Sequence, residues 1–350
     1  MAPRVRTILS VATTTTLLAA VAAGTSAPAI AQPTSQPVVV HAPAPTGTCF
    51  DWFPNLIRQL QCHLGLIDVP PGQTPNPLPD PWPAPDPSPD PDPSRFDCGD
   101  TILKRDGTAW ACTFADDFSG TELDRTLWVP QRQHSNGTAS VFACYIDDPA
   151  VVDVSGGSLN LSVVEMDEPV PCPDGRQTRY AAGQVSTYQI WSQAYGRFEA
   201  RMRVQEFDRP GLHEAFWLWP DTRHFPWTHL WPASGEIDVM ETYSKDPHLA
   251  VPFLHSGVSA VLGPVPGLNT AWDCVAHRGE WNTYVLEWSA TRIKILVNGR
   301  TCLNTATDAA FHKPFLIAFT QALGVGANGY DDSAGFTPAT MNVDYVKAWK

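Results

Sequence analysis

Beyond residue 95 the chain runs for roughly 250 residues with almost no long helical periodicity, and short runs of alternating apolar and polar residues take its place. Ser158-Leu159-Asn160-Leu161-Ser162-Val163, Phe198-Glu199-Ala200-Arg201-Met202-Arg203-Val204, Thr283-Tyr284-Val285-Leu286-Glu287-Trp288 and Arg292-Ile293-Lys294-Ile295-Leu296-Val297 each put one apolar side chain at every second position. That is the period of a strand with one face buried. Asn298-Gly299, between the last of these and Thr301-Cys302-Leu303, is a strong two-residue hairpin signal. Many short strands at this spacing predict an all-β sandwich.

One run breaks the alternation. Glu236-Ile237-Asp238-Val239-Met240-Glu241 holds three carboxylates in six residues. In a regular strand Glu236 and Asp238 share one face while Ile237 and Val239 point into the core. Glu241, three residues after Asp238, rejoins the acidic face only if a β-bulge around Val239 and Met240 takes up one extra residue. The row would then be crowded with like charges, which keep one acid protonated near neutral pH while its neighbour stays ionised. Retaining glycoside hydrolysis uses such a pair, one carboxylate attacking the sugar carbon and the other protonating the leaving oxygen. The plainer alternative is a half-exposed strand with its acids in water. Trp217, Trp219, Trp227, Trp231 and Tyr243 lie within two dozen residues of the acids and offer faces for sugar rings, although aromatic residues are as readily core.

The stretch Trp231-Pro232-Ala233-Ser234-Gly235-Glu236-Ile237-Asp238-Val239-Met240-Glu241 resembles the active-site strand of glycoside hydrolase family 16, in the bulged form of laminarinase-like endo-1,3-β-glucanases. Further matches follow in the family's order: Asp116-Asp117-Phe118 with Leu123-Asp124 and Trp128, Gly157-Ser158-Leu159, Tyr195 to Arg201, Ala215-Phe216-Trp217-Leu218, Tyr284 to Trp288, and Met341 to Val346. The resemblance implies a curved, concanavalin-like jelly roll with a carbohydrate cleft on its concave face. It implies Glu236 as nucleophile, Asp238 as assisting carboxylate and Glu241 as acid/base. It also implies sugar contacts from Trp217, Trp219, Trp231, His255 and Gln321, and no cofactor for catalysis. A structural calcium ion occurs on the convex face of many relatives, with Asp344 at a ligand position. Where many laminarinase-like members read Gly-x-Trp-Pro-Ala-Phe-Trp, this chain reads Gly211-Leu212-His213-Glu214-Ala215-Phe216-Trp217, so an aromatic platform is replaced by His213, a candidate hydrogen-bonding group for the sugar. The expected substrate is a polysaccharide: β-1,3-glucan first, with mixed-linkage glucan, galactan or transglycosylation as alternatives within the fold. A non-catalytic lectin-like domain is the alternative of another class.

Charge and cysteine usage narrow the partners. The formal net charge is −13, and removal of an N-terminal leader carrying Arg4 and Arg6 makes it more negative still, so a nucleic-acid partner is excluded for want of a basic footprint. Arg4 and Arg6, an apolar stretch from Ile8 to about Ala23 and Ala29-Ile30-Ala31 form a signal-peptide pattern over 1–31, too short and threonine-rich for a membrane span. The mature chain is expected to be secreted, extracellular or wall-associated, and monomeric. Eight cysteines suit that compartment as disulfides; their order favours Cys49 with Cys62, Cys98 with Cys112, Cys144 with Cys172 and Cys274 with Cys302, among 105 connectivities. No C-x-x-C pair exists, and His213-Glu214 lacks the second histidine of a zinc-protease helix.

The remaining organisation is unequal. Residues 70–95 form a proline-rich linker expected to be a stiff polyproline spacer. The segment 32–69 before it carries Phe50, Phe53, Ile57, Leu60 and Leu64 on one helical face, pinned by Cys49 and Cys62, and 96–350 is the candidate catalytic domain.

Overall fold

A computed structural model describes residues 90–350 apart from 133–142, 174, 325–327, 332 and 334. The expected leader, the segment expected to form a helix pinned by Cys49 and Cys62, and most of the expected linker lie outside the described residues. Within them no helix is long and apolar enough to cross a membrane.

Two sheets make up the domain. The first contains β1 (Cys112–Asp116), β3 (Ala143–Tyr145), β4 (Val152–Ser155), β5 (Ser158–Pro171), β6 (Gln177–Ala182), β8 (Gly196–Val204), β12 (Asn282–Trp288), β13 (Arg292–Val297), β14 (Arg300–Ala306) and β16 (Ala339–Trp349), in the order β14-β13-β12-β8-β16-β5-β6-β3, with β1 on β16 and β4 on β5. The second contains β2 (Val129–Pro130), β7 (Gln184–Ser186), β9 (Leu212–Pro220), β10 (Glu236–Tyr243), β11 (Val251–His255) and β15 (Phe315–Leu323), in the order β11-β10-β9-β15-β7-β2. Neighbours are antiparallel except β3 and β6. One six-residue helix, α1 (Gly257–Leu262), follows β11 behind a Ser256 capping box.

The alternating runs explain the first sheet. On β8, Phe198, Ala200, Met202 and Val204 are buried while Arg197, Glu199, Arg201 and Arg203 face outward; on β13, Ile293, Ile295 and Val297 do the same. These side chains meet Phe216, Leu218, Ile237, Ile317 and Phe319 of the second sheet in one continuous core. Asn298 and Gly299 take φ of 50° and 76°, the left-handed pair a two-residue turn requires between β13 and β14.

The second sheet is different. Its central strands β9 and β15 are buried along nearly their whole length, on both faces. The outer face is therefore covered, and Ala215, Trp217, Trp219, Leu316 and Ala318 form a second apolar cluster there, with Tyr188 and Trp231 packed against it. A sheet buried on the side away from the core lies at the bottom of a recess. Disulfides Cys98–Cys112, Cys144–Cys172 and Cys274–Cys302 join the pairs that cysteine order favours.

Candidate active site

The acidic strand is delivered by a tight turn. Gly235 sits at φ +89°, and a Cβ there would come within 2.7 Å of Ala310 O, so only glycine fits between the 309–311 turn and the start of β10. Lys313 Nζ holds the two segments together, donating to Ser234 O at 2.8 Å and to Ala310 O, with Phe225 and Phe315 rings beneath the ammonium group. Burial lowers this amine to about 8.

From Ile237 the strand pairs regularly with β9 as far as Asp238, which stands opposite Trp217. The next partner of β9's Phe216 is Met240, and Glu241 stands opposite Ala215. Val239 is the extra residue, and the register with β11 shifts across the same step. Ala215 and Trp217 are two apart on one face, so their partners Glu241 and Asp238 lie on one face as well. The expected bulge is present, and the row Glu236, Asp238, Glu241 points into the recess.

Each acid has its own support. Trp231 Nε1 donates to Glu236 Oε2 at 2.5 Å, and His255 Nε2 lies 3.2 Å from Asp238 Oδ2. Tyr243, two residues beyond Glu241 on the same face, donates from Oη to Glu241 Oε1 at 2.8 Å. His213 stacks on Tyr243 at 4.8 Å and brings Nε2 to 3.6 Å from the same oxygen. Glu236 and Asp238 are almost wholly buried. Burial, then the Asp238 charge, raises Glu236 well above the usual carboxylate range; burial pushes Asp238 up to about 8. Glu241 is raised by burial and Asp238, with His213, His255 and the Tyr243 hydroxyl opposing. The cluster thus holds protons that exposed acids would lose, the condition for an acid and an ionised base side by side near neutral pH.

Glu236, Asp238 and His255 bring one ligating atom each within 4.8 Å of one another, the single such group among the described residues. Trp231 N–H already occupies a Glu236 oxygen, and the imidazole stands against Asp238, so the arrangement is a hydrogen-bonded acid cluster rather than an open ligand set.

The other expected residues divide. Trp231 and His255 are half-buried beside the acids, with rings 5.2 Å apart, and Phe253, a residue the sequence did not single out, stacks on His255 at 4.3 Å. Trp217 and Trp219 do share the recess face, yet only 4% and 2% of them are exposed, and Trp217 Nε1 is committed to Thr320 Oγ1. They form the floor and not an open platform. Gln321 is on the opposite, core side of β15: it is fully buried and donates to Glu214 Oε1 at 3.1 Å, which corrects its expected sugar contact. Asp344 is engaged elsewhere: its carboxylate is 2.6 Å from the Arg201 guanidinium, and it belongs to no group of three ligating side chains among the described residues.

No local pattern pointed to the role of Glu214. Facing the core from β9, it receives Arg278 Nη1 and Nη2 at 2.8 and 2.7 Å and Thr242 Oγ1 at 2.6 Å. Burial pushes this acid up, but the guanidinium and the hydrogen bonds outweigh it and hold Glu214 below its usual value.

Comparison with known proteins agrees with this geometry. Residues 139–347 match the family model of Glycosyl hydrolases family 16. The chain is 26% identical over 257 residues, 67% of its length, to Glucan endo-1,3-beta-glucosidase A1 of Niallia circulans, and 24% identical over 263 residues, 71% of its length, to the Endo-1,3-1,4-beta-glycanase EglC of Rhizobium meliloti. The matches span 37% and 53% of those two relatives' own lengths. The solved endo-beta-1,3-glucanase of Pyrococcus furiosus superposes with a TM-score of 0.59 at 22% identity, covering 71% of this chain and 97% of that one, and shares the jelly-roll sandwich. The family match takes in the acidic strand, its bulge and most strands of both sheets, and the chain belongs to glycosyl hydrolase family 16.

Proposed function

We propose that the protein is an exported, retaining endo-β-glucanase that cuts β-1,3 linkages in laminarin-like or cell-wall glucan. The observation that carries this reading is the bulged row of three acids on one face, Glu236 and Asp238 almost wholly buried, supported by hydrogen bonds and with no lysine or arginine paired to them among the described residues. The names of the relatives from Niallia circulans and Rhizobium meliloti support β-1,3 and mixed β-1,3-1,4 linkages as the substrate range. The leader pattern and the three disulfides support export.

In this reading Glu236 and Asp238 share a proton. The Trp231 N–H stabilises the negative charge that Glu236 carries when it attacks. Glu236 attacks the anomeric carbon while protonated Glu241 gives its proton to the departing glycosidic oxygen. A glycosyl ester on Glu236 results, and the shortened chain leaves. Glu241, now ionised, takes a proton from water, whose oxygen displaces Glu236 from the sugar and restores the starting configuration. Trp231 and the His255–Phe253 pair offer the half-exposed aromatic surface against which a sugar face packs.

Incubation with laminarin, mixed-linkage β-glucan and galactan, followed by assay of new reducing ends and proton NMR of the first products, tests the reading. New ends from laminarin with the β-anomer formed first are expected. Binding without new ends makes the domain a lectin, and an initial α-anomer overturns the roles of the two glutamates.

A further inference from the structure

The position where many laminarinase-like chains carry a tryptophan holds His213 here, and its surroundings fix what the imidazole can do. Nδ1 lies 3.2 Å from Thr242 O. A carbonyl oxygen only accepts, so Nδ1 carries hydrogen, and Nε2 is the nitrogen left to face Glu241 Oε1 at 3.6 Å. That oxygen already accepts the Tyr243 hydroxyl at 2.8 Å, so the proton of neutral Glu241 belongs on Oε2, the oxygen without a hydrogen bond among the described residues. Oε1 therefore has no hydrogen to offer Nε2, and the two attract one another only when Nε2 is itself protonated. The ring is held face-on by Tyr243, 4.8 Å away at 28°, so it stays at this distance from the acid.

We infer that His213 is a positioning residue for Glu241: its imidazole, held between Thr242 O and Tyr243, stands against Oε1, leaves Oε2 to carry the catalytic proton, and sets the alkaline edge of activity rather than binding sugar. The inference rests on the reading of Glu241 as acid/base. The groups facing Glu241 are Asp238 and Glu236 on its own strand, Tyr243 at that strand's end, His255 on β11 and His213 on β9; Glu214 and Arg278 lie on the core side and neutralise each other. Burial and Asp238 keep the proton on Glu241, and His213 and His255 favour its release. Removing His213 therefore leaves Glu241 protonated to higher pH, and activity persists further into the alkaline range.

The test is the pH profile of kcat and KM on laminarin for the native protein, His213→Phe and His213→Gln, each checked for folding by thermal melting. Phe keeps the stacking on Tyr243 and Gln keeps a polar group, but neither can carry charge. In both variants the alkaline limb should move to higher pH, so that activity on that limb, relative to the optimum, rises about threefold or more, as half a pH unit along a limb of unit slope gives. KM should stay within about twofold, because the effect is on proton delivery. An unmoved limb in folded variants overturns the inference, and a raised KM with an unmoved limb makes His213 a sugar ligand. Glu241→Gly with azide and an activated aryl β-glucoside separates the two levels. Restored turnover as a β-glycosyl azide upholds Glu241 as acid/base, so that an unmoved limb then counts against His213 alone. No restoration removes the acid/base assignment and the inference with it.

Discussion

Two acidic sites sit back to back on the second sheet. Glu214 faces the core from β9, and Glu236, Asp238 and Glu241 face the recess from β10; Glu214, Glu236 and Asp238 are all buried. Glu214 meets a bidentate guanidinium, a hydroxyl and an amide, and its charge is satisfied. The recess acids meet one another, two imidazoles, an indole and a phenol, and no guanidinium or ammonium among the described residues. The same residue type thus becomes a structural anion in one place and a reservoir of protons in the other. The difference lies in the partner, since burial is common to both.

Identical substitutions on the two sides break the comparison if it is wrong. Glu236→Gln and Glu241→Gln should each lower hydrolysis of laminarin by about three orders of magnitude or more with melting behaviour retained, since each removes a reacting group. Activity within tenfold of native in either variant, measured by reducing ends, assigns the chemistry elsewhere. Glu214→Gln should do the reverse. It leaves the Arg278 guanidinium buried without its counter-charge and should cost about 3–5 kcal/mol of unfolding free energy in urea. An intact melting curve would mean that water reaches Arg278.

The smallest expected effect is on the pH dependence of stability. Burial pushes Asp238 up to about 8 in the folded chain from 3.8 for a free side chain, so the folded state keeps a proton that the unfolded state gives up. Stability through this group therefore falls as pH rises from about 4 to about 8 and stays lost above. Asp238→Asn removes that fall. The variant should gain at least about 1 kcal/mol over the native protein at pH 8 and little at pH 4, as urea titrations at the two values would read. An equal gain at both would show that packing, not a proton, is responsible.

The recess acids were legible because their spacing contradicts the period of the strand: E-x-D-x-x-E cannot lie on one face without a bulge, and the bulge is there. Tyr243 could have been found by the same parity, two residues past Glu241. The strands of the first sheet were legible from alternation, since only one of their faces is buried. What failed depended on distant chain. Trp217 and Trp219 have the right parity, but their accessibility is decided by Tyr188 and Trp231 arriving from other segments. Gln321 needed the β15–β9 register, which sets it opposite Glu214 on the core side. Asp344 finds Arg201 across 143 residues, and Glu214 finds Arg278 across 64. Charges that pair over such separations leave no local pattern.

The register around Val239 has a genetic consequence. Asp238, Met240 and Glu241 oppose Trp217, Phe216 and Ala215, three consecutive residues of β9, and Val239 has no partner there. Losing that one codon in frame would give Glu-Ile-Asp-Met-Glu, in which simple alternation already presents all three acids, with every other pairing to β9 unchanged. The acidic row is therefore indifferent to whether the strand is eight residues long or one shorter. Chains that differ by a single inserted triplet can arrive at the same face by different routes, and an alignment of such chains has to open its gap at this valine.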